Sequence, residues 1–126
     1  MNVTQYLSSV NDRIKLGNAT EHSFRGDLQQ LIETLVNGIR ATNEPRRQKC
    51  GAPDYILTKK EIEIGYIEAK DIGDTDLDGK KKNKEQFDRY KSGLSNIIFT
   101  DYLNFHLYRD GQFITKIAIA DLTDKG

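Results

Sequence analysis

The chain has 126 residues, 37% apolar and 30% charged, and its 19 basic and 19 acidic side chains give a formal net charge of zero. That length suits one domain and not two; the longest apolar runs fall far short of a membrane span, and a neutral total argues against gripping nucleic acid through overall basicity. A lone cysteine, Cys50, allows no internal disulfide, and the N-terminus lacks the apolar stretch of a signal peptide, so a reducing, cytoplasmic setting with no membrane partner is expected.

In chain order, Val3, Tyr6, Leu7, Val10 and Ile14 recur at steps of three and four and predict an amphipathic helix ending near Gly17. Thr20 is placed to cap a second helix, whose stripe of Phe24, Leu28, Leu31, Leu35 and Ile39 holds helical spacing over five turns. Residues 41–53, broken by Pro45, Gly51 and Pro53, read as a loop. Strands are expected at 54–58 and 62–70, joined as a hairpin through Lys59–Lys60–Glu61. Residues 71–83 form a polar loop with no core residue beyond Ile72 and Leu77. Residues 84–92 read as a helix and Asn96–Thr100 as a buried strand, and Asp110–Gly111 is the turn between strands 104–109 and 112–120. The order α-α-β-β-α-β-β-β predicts an α/β fold with a central mixed sheet flanked by helices.

Charge is unevenly distributed along this order. Lys80, Lys81, Lys82, Lys84, Arg89 and Lys91 crowd one stretch and Arg40, Arg46, Arg47 and Lys49 another, so a neutral total can hide a basic face. Lys81, Lys82 and Lys84 are candidate contacts for DNA phosphates. Asp74, Asp76 and Asp78 alternate as in calcium loops but lack the glutamate that would close one.

The second strand of the hairpin carries the chemistry. Alternation puts Ile62, Ile64, Tyr66, Glu68 and Lys70 on one side, so an expected apolar face ends in a carboxylate and an ammonium. A hairpin turning at 59–61 sets position 54 opposite 67 or 68, with Cβ atoms of opposed residues about 4.5–5.5 Å apart. Asp54 and Glu68 would then be neighbours, and two carboxylates so close call for a proton or a cation between them. Oxygen donors favour Mg²⁺ or Mn²⁺. Glu21, on the buried stripe of the second helix, is a candidate to join the same site.

Pro53-Asp54, thirteen intervening residues and Glu68-Ala69-Lys70 resemble the signature of the PD-(D/E)XK nuclease superfamily. Glu21 looks like the extra helical acid of its resolvase-like and Mrr-like branches, and Gln86-Phe87-Asp88-Arg89-Tyr90 resembles the QxxxY motif of RecB-like nuclease domains. The wording GAPDYIL followed by GYIEAKD is similar to N-terminal nuclease domains of large single-chain restriction–modification enzymes, in which an N6-adenine methyltransferase follows. The resemblance implies a restriction-endonuclease-like core in a single nuclease domain over 1–126. Residues 1–17 are then an N-terminal helix, 18–100 the catalytic core and 101–126 a C-terminal hairpin. It implies a Mg²⁺- or Mn²⁺-dependent endonuclease acting on double-stranded DNA. Asp54, Glu68 and the Ala69 carbonyl would hold the metal, Glu21 would complete the site, Lys70 would position the attacking water, and Gln86 and Tyr90 would contact the DNA backbone or brace Lys70. A methyltransferase or specificity region would lie elsewhere in a longer protein, since no NPPY-type motif is present. The alternatives are a non-catalytic DNA-binding module that keeps the fold and a resolvase-like junction nuclease, which would need a dimer.

Overall fold

The computed structural model describes residues 1–17, 21–43 and 51–121, with the backbone alone at 21–23. The proposed cap Thr20, the cysteine Cys50 and the basic residues Arg46, Arg47 and Lys49 lie outside the described residues.

Helix α1 (Val3–Leu16) begins at Asn2, whose side chain accepts from the Gln5 N–H while Gln5 reaches back to the Asn2 N–H. This reciprocal box satisfies two donors that a helix start leaves open. The helix stops at Gly17, whose φ of 71° is the left-handed cap that glycine adopts without strain. Helix α2 (Glu21–Leu35) follows, and it is shorter than its apolar stripe predicts. The stripe residue Ile39 opens strand β1 (Ile39–Asn43) instead, in a segment expected to be helix end and loop. The reason lies at Gly38, which takes φ 84° and turns the chain, so the helix cannot continue to Ile39.

Strands β2 (Tyr55–Lys59) and β3 (Ile62–Ala69) form the expected hairpin, turning at Lys60 and Glu61, both at positive φ. Helix α3 (Lys84–Gly93) then crosses to β4 (Asn96–Thr100), and β5 (Asn104–Arg109) and β6 (Gln112–Ala118) close the chain around Asp110–Gly111. The six strands form one sheet in the order β1-β2-β3-β4-β5-β6. Only the β3–β4 pair is parallel, as the α3 crossover requires; the others are antiparallel. β3 is thus central, between β2 and β4.

Each face of the sheet carries its own core. On one, Tyr6, Val10, Leu28 and Leu31 from α1 and α2 pack on Ala41, Tyr55, Ile67 and Ala69, and the Tyr6 hydroxyl donates to the Tyr102 carbonyl at 2.7 Å. On the other, Phe87, Tyr90 and Leu94 from α3 pack on Ile97 and Phe99, with the Phe87 and Phe99 rings stacked 3.8 Å apart. Each such ring or aliphatic side chain, fully buried, contributes roughly 1.5–3 kcal/mol.

The expected faces of β3 need correcting. Between Leu57 and Thr58 the register slips, leaving Ile64 without an opposite residue in β2. Such a bulge breaks the alternation. Ile62 and Ile64 are exposed at 68% and 39%, and the core of α1 and α2 is met by Ile67 and Ala69. Tyr66 packs with α3, and Glu68 and Lys70 continue its parity.

Candidate active site

The site lies where β2 begins and β3 ends, with α2 on one side and α3 on the other. The hairpin brings its acids together. The backbone N–H of Asp54 donates to Glu68 Oε1 at 3.2 Å, and the backbone N–H of Ala69 donates to Asp54 Oδ2 at 2.8 Å. Each acid therefore receives a main-chain bond from the other's strand, which fixes the two carboxylates relative to each other. Their side chains are 12% and 7% exposed. Lys70 follows on the same side of β3, held by a backbone bond from its N–H to the Thr100 carbonyl at 2.7 Å.

Lys70 Nζ donates to Gln86 Oε1 on α3 and stands 3.6 Å from Glu68 Oε2. Gln86 thus braces the ammonium beside Glu68. Tyr90, one turn on, is 2% exposed, and its hydroxyl pairs with the Gln86 side chain. Its ring packs against Gly51, where a Cβ would come within 3.0 Å of Tyr90 Cε1 at a φ of 126° that side chains rarely adopt. Burial raises the Tyr90 hydroxyl to about 12, and the Glu68 charge adds to the effect.

Glu68 is pushed up to about 8, chiefly by burial and next by the charge of Asp54, against the pull of Lys70. Asp54 carries a partner that the motif did not point to. Arg25 of α2 reaches its Oδ1 at 2.6 Å through Nη2, and both side chains are 12% exposed. The only sequence signal for Arg25 was its position next to Phe24 on the edge of the apolar stripe.

Glu21 is the first residue of α2, and its side chain lies outside the described residues. Arg25, Asp54, Glu68, Ala69, Lys70 and Gln86 line one open cleft of about 520 Å³, with Asp74, Lys82 and Asn83 on its rim. The rim is the 71–83 loop, more ordered than its composition suggests. Asp76 accepts the backbone N–H groups of Lys80, Lys81 and Asn83 at 2.8–2.9 Å, and Asn83 Nδ2 donates to Asp74 at 3.1 Å. Asp76, Gly79 and Asn83 are buried there beside Leu77, against the expectation of a loop without further core residues. Lys82 and Lys84 are 60% and 63% exposed and pair with Asp74 and Asp88, and Lys81 is exposed.

Among the described residues no three or more His, Cys, Asp or Glu side chains are grouped to hold a metal ion. Among the described residues, Asp54 and Glu68 are the acids tied to each other by main-chain bonds. Their oxygens, with the Ala69 carbonyl beside them in the chain, are the hard donors that a magnesium-class cation takes. A Glu68 carboxyl raised first by burial and next by its neighbour's charge fits such a cation, which would offset the repulsion.

No helix among the described residues is long and apolar enough to cross a membrane. No family model matches the chain, and no curated protein does. Among solved structures the chain is similar to a protein determined by cryo-electron microscopy as the DrdV–DNA complex, at 27% identity and a TM-score of 0.73. That match covers 94% of this chain and 12% of the other, so the chain spans about an eighth of its neighbour's length. With its six-stranded mixed sheet flanked by helices, the chain has a restriction-endonuclease-like fold.

Proposed function

We propose that this chain is the metal-dependent DNA-cleaving module of a larger protein, a PD-(D/E)XK endonuclease domain of restriction–modification type. The observation that carries the reading is the meeting of Asp54, Glu68 and Lys70 in one open cleft, on a fold shared with a DNA-bound protein. Asp54, Glu68 and the Ala69 carbonyl would hold Mg²⁺ or Mn²⁺, with Glu21 completing the set. The cation would polarise the scissile phosphate and supply a nucleophilic water at neutral pH.

The chain's own residues account for the rest. Lys70 is held between Glu68 and Gln86 with its ammonium on the cleft, where it can donate to a phosphate oxygen and offset the charge that develops there. Gln86 acts through Lys70 as a positioning residue, and Tyr90, paired with Gln86, supports that brace. Exposed Lys81, Lys82 and Lys84 supply phosphate contacts at or near the rim, which hold the duplex without reading its bases. Base reading and any methyltransferase would belong to other parts of the longer, intracellular protein.

The test is nicking of supercoiled plasmid with Mg²⁺ or Mn²⁺ by the wild-type chain, Asp54→Asn and Lys70→Ala, beside a gel-shift measurement. Metal-dependent nicking lost in both variants supports the proposal. DNA binding without cleavage under any metal would point to the non-catalytic module, and equal nicking by Asp54→Asn would remove this cleft from the chemistry. A single dimeric species in solution, cutting branched DNA in preference to plasmid, would favour the junction nuclease.

A further inference from the structure

Both oxygens of Asp54 are engaged. Oδ2 accepts the Ala69 N–H at 2.8 Å, a bond built into the hairpin, and Oδ1 accepts Arg25 Nη2 at 2.6 Å. The arginine is aimed by its surroundings. The Tyr55 hydroxyl donates to the Arg25 carbonyl at 2.8 Å, anchoring this turn of α2 to the first residue of β2, next to Asp54 itself. The Arg25 side chain is 12% exposed and lines the same cleft as Asp54. Arginine keeps its charge at any pH a protein tolerates, so no proton can release this pair. A competing cation can.

Resting on the metal-site reading above, we propose that Arg25 is a built-in counter-cation. It holds Asp54 in place while the site has no metal, and it gives up Oδ1 to the divalent ion. Two cations that need one carboxylate oxygen oppose each other, and the opposition is reciprocal: whatever the ion pair contributes to the metal-free protein is subtracted from metal affinity. Arg25 is in this sense a positioning residue that sets the metal concentration at which the site loads. Displaced, its guanidinium remains in the cleft as a planar donor suited to a phosphate.

The sign of the effect separates this role from a structural one. Damage to the site would weaken metal binding, whereas removal of a competitor tightens it. The experiment is isothermal titration calorimetry of Mn²⁺ into the wild-type chain, Arg25→Gln, Arg25→Lys and Asp54→Asn, with the melting temperature of each in chelator. Arg25→Gln is expected to bind Mn²⁺ about fivefold or more tightly than wild type, the lower end of common coupling between linked sites, while its metal-free melting temperature falls. Arg25→Lys, which keeps the charge but loses the fork, should fall between them; it carries the test if Arg25→Gln does not fold. A folded Arg25→Gln, or failing that Arg25→Lys, with affinity equal to or weaker than wild type overturns the proposal. If wild-type binding is still lost in Asp54→Asn, the metal-site reading survives that result. Absence of Asp54-dependent Mn²⁺ binding in both wild type and the Arg25 variants overturns both.

Discussion

Glu68→Gln should stabilise the metal-free protein at alkaline pH and leave it nearly unchanged in acid. In the folded chain the Glu68 carboxyl sits at about 8, first through burial and second through Asp54, against an ordinary 4.5. A carboxyl raised by folding makes the folded state hold a proton that the unfolded chain has released. The stability so conferred is complete below about pH 4.5 and is lost as pH climbs through about 8. At about 1.36 kcal/mol per pH unit, the interval from 4.5 to about 8 sets a ceiling of about 5 kcal/mol. Relaxation of the site around the charge relieves part of that ceiling, so about 2–3 kcal/mol is the working value. Glutamine keeps an oxygen to accept the Asp54 N–H but carries no charge at any pH. The pull of Lys70 is already contained in the value of about 8, so its loss in the variant is not subtracted again. The assay is urea or thermal unfolding in chelator at several values from pH 5 to pH 8.5. The gain of the variant over wild type should grow by about 2–3 kcal/mol across that range, or about 10 °C for a chain of this size. Asp54→Asn should move the wild-type transition to lower pH by removing the second cause. Parallel stability curves for wild type and Glu68→Gln would refute the reasoning, since Glu68 would then not titrate between its ordinary value and the alkaline limit.

Lys70→Ala is expected to lose at least about 100-fold in plasmid nicking, with DNA binding retained in a gel shift and stability within about 1 kcal/mol, because the ammonium is at the cleft surface and 22% exposed. Mn²⁺ should raise the melting temperature of wild type, equivalent to about 2.7 kcal/mol at a hundredfold excess over its dissociation constant. Asp54→Asn should blunt that rise, whereas Glu85→Gln, on the exposed face of α3, should leave it intact; an equal rise in all three places the ion elsewhere. Gly79→Ala should destabilise by about 2–3 kcal/mol in a denaturant titration, since Gly79 has φ 70° and an added Cβ would sit 2.6 Å from Phe87 Cδ2. A loss below about 0.5 kcal/mol would mean that the 71–83 loop moves off α3 at little cost.

The hairpin was legible because its determinants are local. A polar tip at 59–61 and apolar residues on either side fix the pairing, and the pairing fixes which acids meet. The first strand was missed for a reason equally local but weaker. Ile39 continues the helical period of Leu31 and Leu35, and the apolar pattern outweighed the chain-turning Gly38. β1 itself, IRATN, buries Ala41 alone fully, so it is a strand because β2 pairs with it and not because its composition demands one. The bulge at Ile64 has no signature in sequence, and without it Ile62 and Ile64 would be assigned to a core they do not join. Arg25 and the 71–83 loop were hidden for another reason. A guanidinium's partner depends on how α2 is docked, and Asp76 gathers three backbone donors only after the loop has closed on itself. Both belong to tertiary geometry, whereas Asp54, Glu68 and Lys70 follow from one strand pair.

The parallel pairing of β3 with β4 bears on the order in which the protein folds. Asp54 and Glu68 are joined by the shortest loop in the site, fourteen residues of hairpin, while the arginine that faces Asp54 is twenty-nine residues away and the glutamine that braces Lys70 is sixteen. Hairpins close in microseconds, and docking of α2 and the α3 crossover requires wider loops. If the hairpin closes first, the like charges meet before Arg25 arrives, and the part of the Glu68 shift that comes from Asp54 falls on the folding barrier. Refolding in chelator is expected to slow from pH 5 to pH 8.5 more than unfolding speeds up, which a pair of stopped-flow chevrons would measure. If the pH effect lay wholly in the unfolding arm, the carboxylates would meet only after the transition state.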